Sequence, residues 1–176
     1  MRRANLNQLI ESTLAISRNR WKYAAELKLD LDPDLSDVPM LASEINQALL
    51  NLIVNAGDAI AEQNEGREDV LGKITIRTYN EAESVVVEVS DDGCGMPEEV
   101  QRKVFDPFFT TKDVGKGTGQ GLSITHNVVV NLHAGNIAIK SEPGVGTTFV
   151  IKLPLENHYA EADAKTREES LSVSAN

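Results

Sequence analysis

Three separate segments of the chain carry residue types that can hold a polar or anionic ligand. On a helical wheel turning about 100° per residue, Glu44, Asn51, Asn55, Asp58 and Glu62 fall within a roughly 60° stripe. Leu49, Leu52, Ile53, Ala56 and Ile60 fill one side of it, and Leu50 and Val54 flank the other. Burying two amides and an acid costs free energy unless they are paired, so a polar ligand or a metal ion is a natural partner. An ordinary half-wetted helix face fits the same pattern equally well.

Strand parity supplies the second segment. Val85, Val87 and Val89 point to one face, and Asp91 keeps their parity, so a carboxylate looks toward the core side at the strand's end. Gly93 and Gly95 follow and would let the backbone approach a ligand without Cβ atoms in the way. Thr147 shares parity with Phe149, Ile151 and Leu153, which puts a hydroxyl beside the same interior. An acid and a hydroxyl so placed could read the edge of a flat heterocycle, although Asp91-Asp92-Gly93 is also a common turn sequence.

The third segment is the run Gly115-Lys116-Gly117-Thr118-Gly119-Gln120-Gly121, which opens into a helix. Free backbone N–H groups at a helix start suit phosphate, and Lys112 and Lys116 add positive charge. Lys116 is followed by Gly117, which breaks the P-loop order, and no strand precedes the run as a dinucleotide fingerprint requires. A flexible linker would look the same.

These segments need elements to position them. Asn5 marks the start of a first helix running to about Arg20, with Leu6, Leu9, Ile10 and Leu14 at helical spacing. A strand is expected over Lys22 to Leu31, a long helix over Ala42 to Gln63, and a hairpin pairing Lys73 to Tyr79 with Ser84 to Asp91. Pro97 can start a short helix, and Asp106 to Gly121 reads as a mobile loop. A helix from Leu122 to Leu132 follows, and a second hairpin joins Asn136–Lys140 to Thr147–Leu153. The expected fold is α+β: a two-layer sandwich of a mixed, mostly antiparallel sheet with helices on one face. A domain over 1–155 and a polar, frayed tail over 156–176 are the expected divisions.

Composition narrows the partners. The 176 residues carry a formal net charge of -10, which argues against a nucleic-acid binder or a basic membrane-surface segment. The lone Cys94 excludes an internal disulfide, the three histidines lack zinc-ligand spacing, and no apolar run is long enough to span a bilayer. A cytoplasmic chain without a membrane segment is expected.

Taken in order, five motifs resemble those of the ATP-binding catalytic domain of bacterial sensor histidine kinases, in the superfamily that also holds gyrase, a heat-shock chaperone and MutL. Asn51-Leu52-Ile53-Val54-Asn55-Ala56-Gly57-Asp58-Ala59 looks like the N box, and Asp91-Asp92-Gly93-Cys94-Gly95-Met96-Pro97 like the first glycine box. Phe105-Asp106-Pro107-Phe108-Phe109-Thr110-Thr111-Lys112 is similar to the F box. Gly117-Thr118-Gly119-Gln120-Gly121-Leu122 and Gly144-Val145-Gly146-Thr147-Thr148-Phe149 are similar to the second and third glycine boxes.

The resemblance implies a Bergerat-type ATP-binding fold with ATP and Mg²⁺ as its cofactors. Asn55 would hold Mg²⁺ against the triphosphate with Asn51 beside it and Asp58 nearby, and Asp91, supported by Thr147, would accept the adenine amino proton. Gly93, Gly95, Gly117, Thr118, Gly119, Gly121 and Leu122 would line the nucleotide. Lys112 or Lys116 would meet the γ-phosphate under a lid running from Asp106 to Gly121, with Phe105 and Phe108 either anchoring it by packing or serving as plain core residues. Hydrolytic relatives resemble one another in placing a glutamate where this chain has Asn51, an amide that cannot take a proton. That favours donation of the γ-phosphoryl group to a delivered nucleophile over hydrolysis.

The implied partners are a histidine-bearing dimerisation domain and a response regulator, because neither His126-Asn127 nor His133-Ala134 resembles an acceptor motif. The isolated domain would be a monomer. The rival readings are another ATPase of the superfamily, a serine-directed anti-sigma kinase, and a nucleotide-binding pseudokinase. A redox role for Cys94 would rest only on its place in the glycine box.

Overall fold

The 22-residue amphipathic pattern forms its helix at Ala42–Gln63 and buries Ile45, Ala48, Leu49, Leu52, Ile53, Ala56 and Ile60. In the computed structural model, which describes residues 1–67, 70–112 and 117–156, this helix lies at the centre of the helical layer. In chain order the elements are β1 (Arg2–Ala4), α1 (Leu6–Trp21), β2 (Ala25–Leu31), β3 (Val38–Met40), α2 (Ala42–Gln63), β4 (Gly72–Asn80) and β5 (Ser84–Asp91). Then come α3 (Glu98–Gln101), α4 (Gly121–His126), β6 (Asn136–Glu142) and β7 (Gly146–Pro154).

Five strands form the main sheet in the order β2-β4-β5-β7-β6. Only β2 and β4 pair in parallel, because the crossover between them carries α2, and the other neighbours are antiparallel. Val85, Val87 and Val89 turn inward and are at most 1 % exposed. With Ile74, Ile76, Phe149, Ile151 and Leu153 they pack against Leu6, Ile10 and Leu14 of α1 and the apolar flank of α2. The expected α+β sandwich is therefore the fold, with its core between one sheet face and the helices.

Several boundaries differ from the sequence expectation, each for a local reason. Lys22 to Ala24 form the turn that follows α1 instead of starting β2: the Lys22 N–H reaches Arg18 O at 3.0 Å and the Ala24 N–H reaches Trp21 O at 2.9 Å. The helix after the lid holds α-geometry only to His126. It continues over Asn127–Leu132 as a wider π-helix and stops at Ala134, whose φ is 52°. The additional pair β1–β3 was not expected, since three residues including Pro39 show no alternation. Arg3 fixes this pair by donating to Asp37 O at 2.6 Å and Leu155 O at 3.0 Å. The expected tail, beyond Glu156, lies outside the described residues.

Candidate functional site

Most of the polar stripe on α2 borders a cavity of about 840 Å³. Asn51, Asn55, Asp58 and Glu62 line it together with Leu50 and Val54; Glu44, near the helix start, does not. Three groups meet the helix at successive levels. Gly121 lies at Asn51, Lys112 at Asn55 and Asp58, and Gly93 with Cys94 at Ala59. At 1.5 Å per residue, the span from 51 to 59 is about 12 Å, comparable with the reach of a nucleoside triphosphate.

At the first level the Asn51 amide donates to Gly121 O at 2.9 Å and to Thr125 Oγ1 at 3.4 Å, and its oxygen accepts from Gln47 Nε2 at 3.1 Å. Asn51 thereby ties α2 to the start of α4, and both of its amide donors are engaged by protein groups. At the second level Lys112 Nζ lies 2.5 Å from Asp58 Oδ2 and 3.4 Å from Asn55 Oδ1. Two oxygens one helical turn apart thus face a single positive charge. Lys116 lies outside the described residues, so Lys112 is the lysine seen at this wall.

At the third level Asp91 enters the cavity from the end of β5. Burial pushes its carboxyl up to about 6, against the N–H groups of Gly93 and Thr147, which pull it down, and Asp92 adds to the rise. The Gly93 N–H donates to Asp91 Oδ1 at 2.9 Å. The Thr147 hydroxyl does not turn to Asp91: it pairs with Ser141 Oγ at 2.8 Å. Met96, Val100, Val104 and Phe109 supply an apolar wall.

The glycines of the first glycine box lie tight against the protein's own backbone, and Gly95 also lines the cavity. A Cβ at Gly93 would stand 2.6 Å from the Ala59 carbonyl carbon, and one at Gly95, where φ is 66°, only 2.0 Å from Glu142 O. Their missing side chains make room for the protein's own backbone in the first place. The segment before α4 shows the same device: Gly119, with φ of 64°, packs on the Phe108 carbonyl. Gly117 sits tight against Thr110 and Lys112, and Gly121 only in ordinary contact with Asn51.

Phe105 packs half-buried against His126 and Phe149, at centroid distances of 5.2 and 6.4 Å. Phe108 does not, being 73 % exposed with φ of 66°. Burial and the Glu62 carboxylate raise the Cys94 thiol, which disfavours a reactive thiolate and hence the redox reading. Sequence reasoning missed Ser141 and Gln101. Gln101 Nε2 donates to Met96 O at 2.8 Å and Ser141 O at 2.9 Å, holding the turn after Asp91. No local signal marks either residue, because both act across the fold.

A sandwich with a large cavity lined by the long helix, a strand-end acid and a glycine-bearing segment has the architecture of a sensor-kinase catalytic ATPase domain. The model for the histidine kinase-, DNA gyrase B-, and HSP90-like ATPases matches residues 40–157, and the chain belongs to that family. It is 37% identical over 153 residues to the signal transduction histidine-protein kinase AtoS of Escherichia coli (strain K12), covering 86% of this chain and 23% of AtoS. It is 43% identical over 144 residues to the sensor kinase CckA of Brucella abortus (strain 2308), covering 73% of this chain and 14% of CckA. The sensory histidine kinase/phosphatase NtrB of Vibrio alginolyticus is 34% identical over 161 residues, with 86% of this chain and 43% of NtrB covered.

The chain thus spans less than half the length of these relatives and corresponds to their catalytic ATPase domain. Among solved structures, the nucleotide-free catalytic domain of histidine kinase ThkA superposes with a TM-score of 0.73 at 32% identity, covering 88% of this chain and 97% of that one. Among the described residues no helix is long and apolar enough to cross a membrane.

Proposed function

We propose that this domain binds Mg-ATP and donates its γ-phosphoryl group to a histidine on a separate dimerisation domain, which in turn supplies a response regulator. The observation that carries this reading is a single cavity of about 840 Å³ in which Asp91 and Thr147 lie with Asn55, Asp58 and Lys112. Asp91 would accept from the adenine amino group. Lys112, now held by Asp58, would turn to the γ-phosphate. The Gly117, Thr118, Gly119, Gly121 and Leu122 stretch would line the phosphates from the lid.

The donor set suits magnesium, since Asn55 and Asp58 present hard oxygens to a cation. Among the described residues no cluster of three or more His, Cys, Asp or Glu could hold a metal, so phosphate oxygens would complete the shell begun by Asn55. When bound, the ion neutralises phosphate charge. The bond from the β-phosphate bridging oxygen to the γ-phosphorus breaks and a histidine nitrogen–phosphorus bond forms. An unprotonated imidazole nitrogen needs no base for this attack, which agrees with an amide at position 51.

Calorimetric titration with a non-hydrolysable ATP analogue, with and without Mg²⁺, on wild type and Asp91→Ala tests the binding. Mg-dependent uptake by wild type, weakened at least tenfold in Asp91→Ala, is expected; absence of adenine nucleotide uptake by wild type would overturn the reading. Transfer is tested with γ-labelled ATP and an added histidine-bearing domain of a sensor kinase, which should carry the label.

A further inference from the structure

Asp91 on β5, Thr147 on β7 and Ser141 on β6 stand in one row across the sheet, paired Asp91 with Thr147 and Thr147 with Ser141. Asp91 and Thr147 line the cavity; Ser141 stands behind them. Ser141 Oγ has three neighbours: the Met96 N–H at 2.8 Å, Gly146 O at 3.1 Å and Thr147 Oγ1 at 2.8 Å. A serine hydroxyl has one proton and two acceptor lone pairs. The Met96 amide can only donate and the Gly146 carbonyl can only accept. Were the Ser141 proton spent on Thr147, its oxygen would oppose the Gly146 carbonyl lone pair to lone pair. The consistent assignment sends the Ser141 proton to Gly146 O, and Thr147 then donates its own proton to Ser141.

We infer that Ser141 is a positioning residue for base selection: by taking the Thr147 proton it leaves Thr147 Oγ1 an acceptor toward the cavity, beside the Asp91 carboxylate. At the 6-substituent itself two adjacent acceptors match the amino group of adenine, whereas the 6-oxo group of hypoxanthine finds no donor there. The inference rests on the proposed nucleotide site and adds the residue that sets its discrimination. Ser141 also holds the Met96 amide, so its loss loosens the neighbouring turn, but that effect weakens all purine nucleotides alike. The ratio between two bases separates the roles.

The test is titration of Mg-ATP against Mg-ITP on wild type, Ser141→Ala and Ser141→Thr, with melting curves to establish folding. Wild type is expected to prefer ATP by at least about tenfold. In Ser141→Ala the released Thr147 hydroxyl can turn and donate to a 6-oxo group. The ATP/ITP ratio should then fall about fivefold or more, the worth of one hydrogen bond. Ser141→Thr keeps the hydroxyl and should keep the wild-type ratio. An unchanged ratio in folded Ser141→Ala overturns the inference while leaving nucleotide binding intact. Equal affinity of wild type for ATP and ITP overturns it whether or not the variant folds. Failure of wild type to bind ATP at all overturns the proposed function and this inference with it.

Discussion

A carboxylate at the end of a buried row of valines costs stability where it is ionised, and Asp91 makes that cost measurable. Its pKa is raised from 3.8 to about 6, with burial the largest cause. The folded state therefore holds this proton more tightly than the unfolded chain does. The resulting stability is fully present below about pH 3.8 and is lost as pH rises through about 6. Asp91→Asn cannot ionise, yet it keeps an oxygen for the Gly93 N–H. It should gain up to about 3 kcal/mol over wild type at pH 7.5 and only about 0.5 kcal/mol near pH 4. Denaturant unfolding at the two pH values checks this, and an equal gain at both would remove ionisation as the cause. The same variant should bind Mg-ATP at least tenfold more weakly at pH 7.5. A group that impairs stability and serves binding is the expected signature of a site residue.

At the scale of elements, legibility depended on how local each cause was. Helix α2 was readable to its end residues because its apolar period runs for 22 residues. The inward row Val85, Val87, Val89 and Asp91 was readable because strand parity needs no partner. What could not be read is whatever depends on a second element. The β1–β3 pair, the Ser141 proton path and the engagement of Asn51 are all tertiary. Gly93 and Gly95 illustrate the limit: glycine signals close approach, but only the fold says that Ala59 and Glu142 are what approach. Asn51 yields the corresponding prediction. Helix α4 runs on into the π-helical segment at its far end, and at its near end Asn51 grips its first carbonyl at 2.9 Å. In Asn51→Ala, amide exchange over Gly121–His126 should accelerate about fivefold, the equivalent of one hydrogen bond. Protection in β5 and β7 should stay unchanged. Uniform acceleration throughout the sheet would show that Asn51 supports the whole fold and not the lid's anchor.

For the molecule as a whole, the question is whether the domain can receive the phosphoryl group that it is proposed to donate. His133 is 2 % exposed, and both of its ring nitrogens are engaged, Nδ1 with Val128 O at 2.7 Å and Nε2 with the Leu41 N–H at 2.9 Å. Attack through either nitrogen would require breaking the joint between α2 and the end of the π-helical segment. His126 packs its ring against Phe105 at 5.2 Å. Neither histidine is among the residues that line the cavity. His158 lies outside the described residues and is the one histidine to which this argument does not extend. Incubating the pure chain with γ-labelled ATP and Mg²⁺ should therefore leave no acid-labile label on the protein, and adding a histidine-bearing dimerisation domain should produce label on that partner alone. Label retained by the isolated chain but lost in His158→Gln would place an acceptor beyond Glu156. Label that survives this substitution would mean that His126 or His133 leaves its partners to reach the nucleotide, and the exclusion of both as acceptors would have to be abandoned.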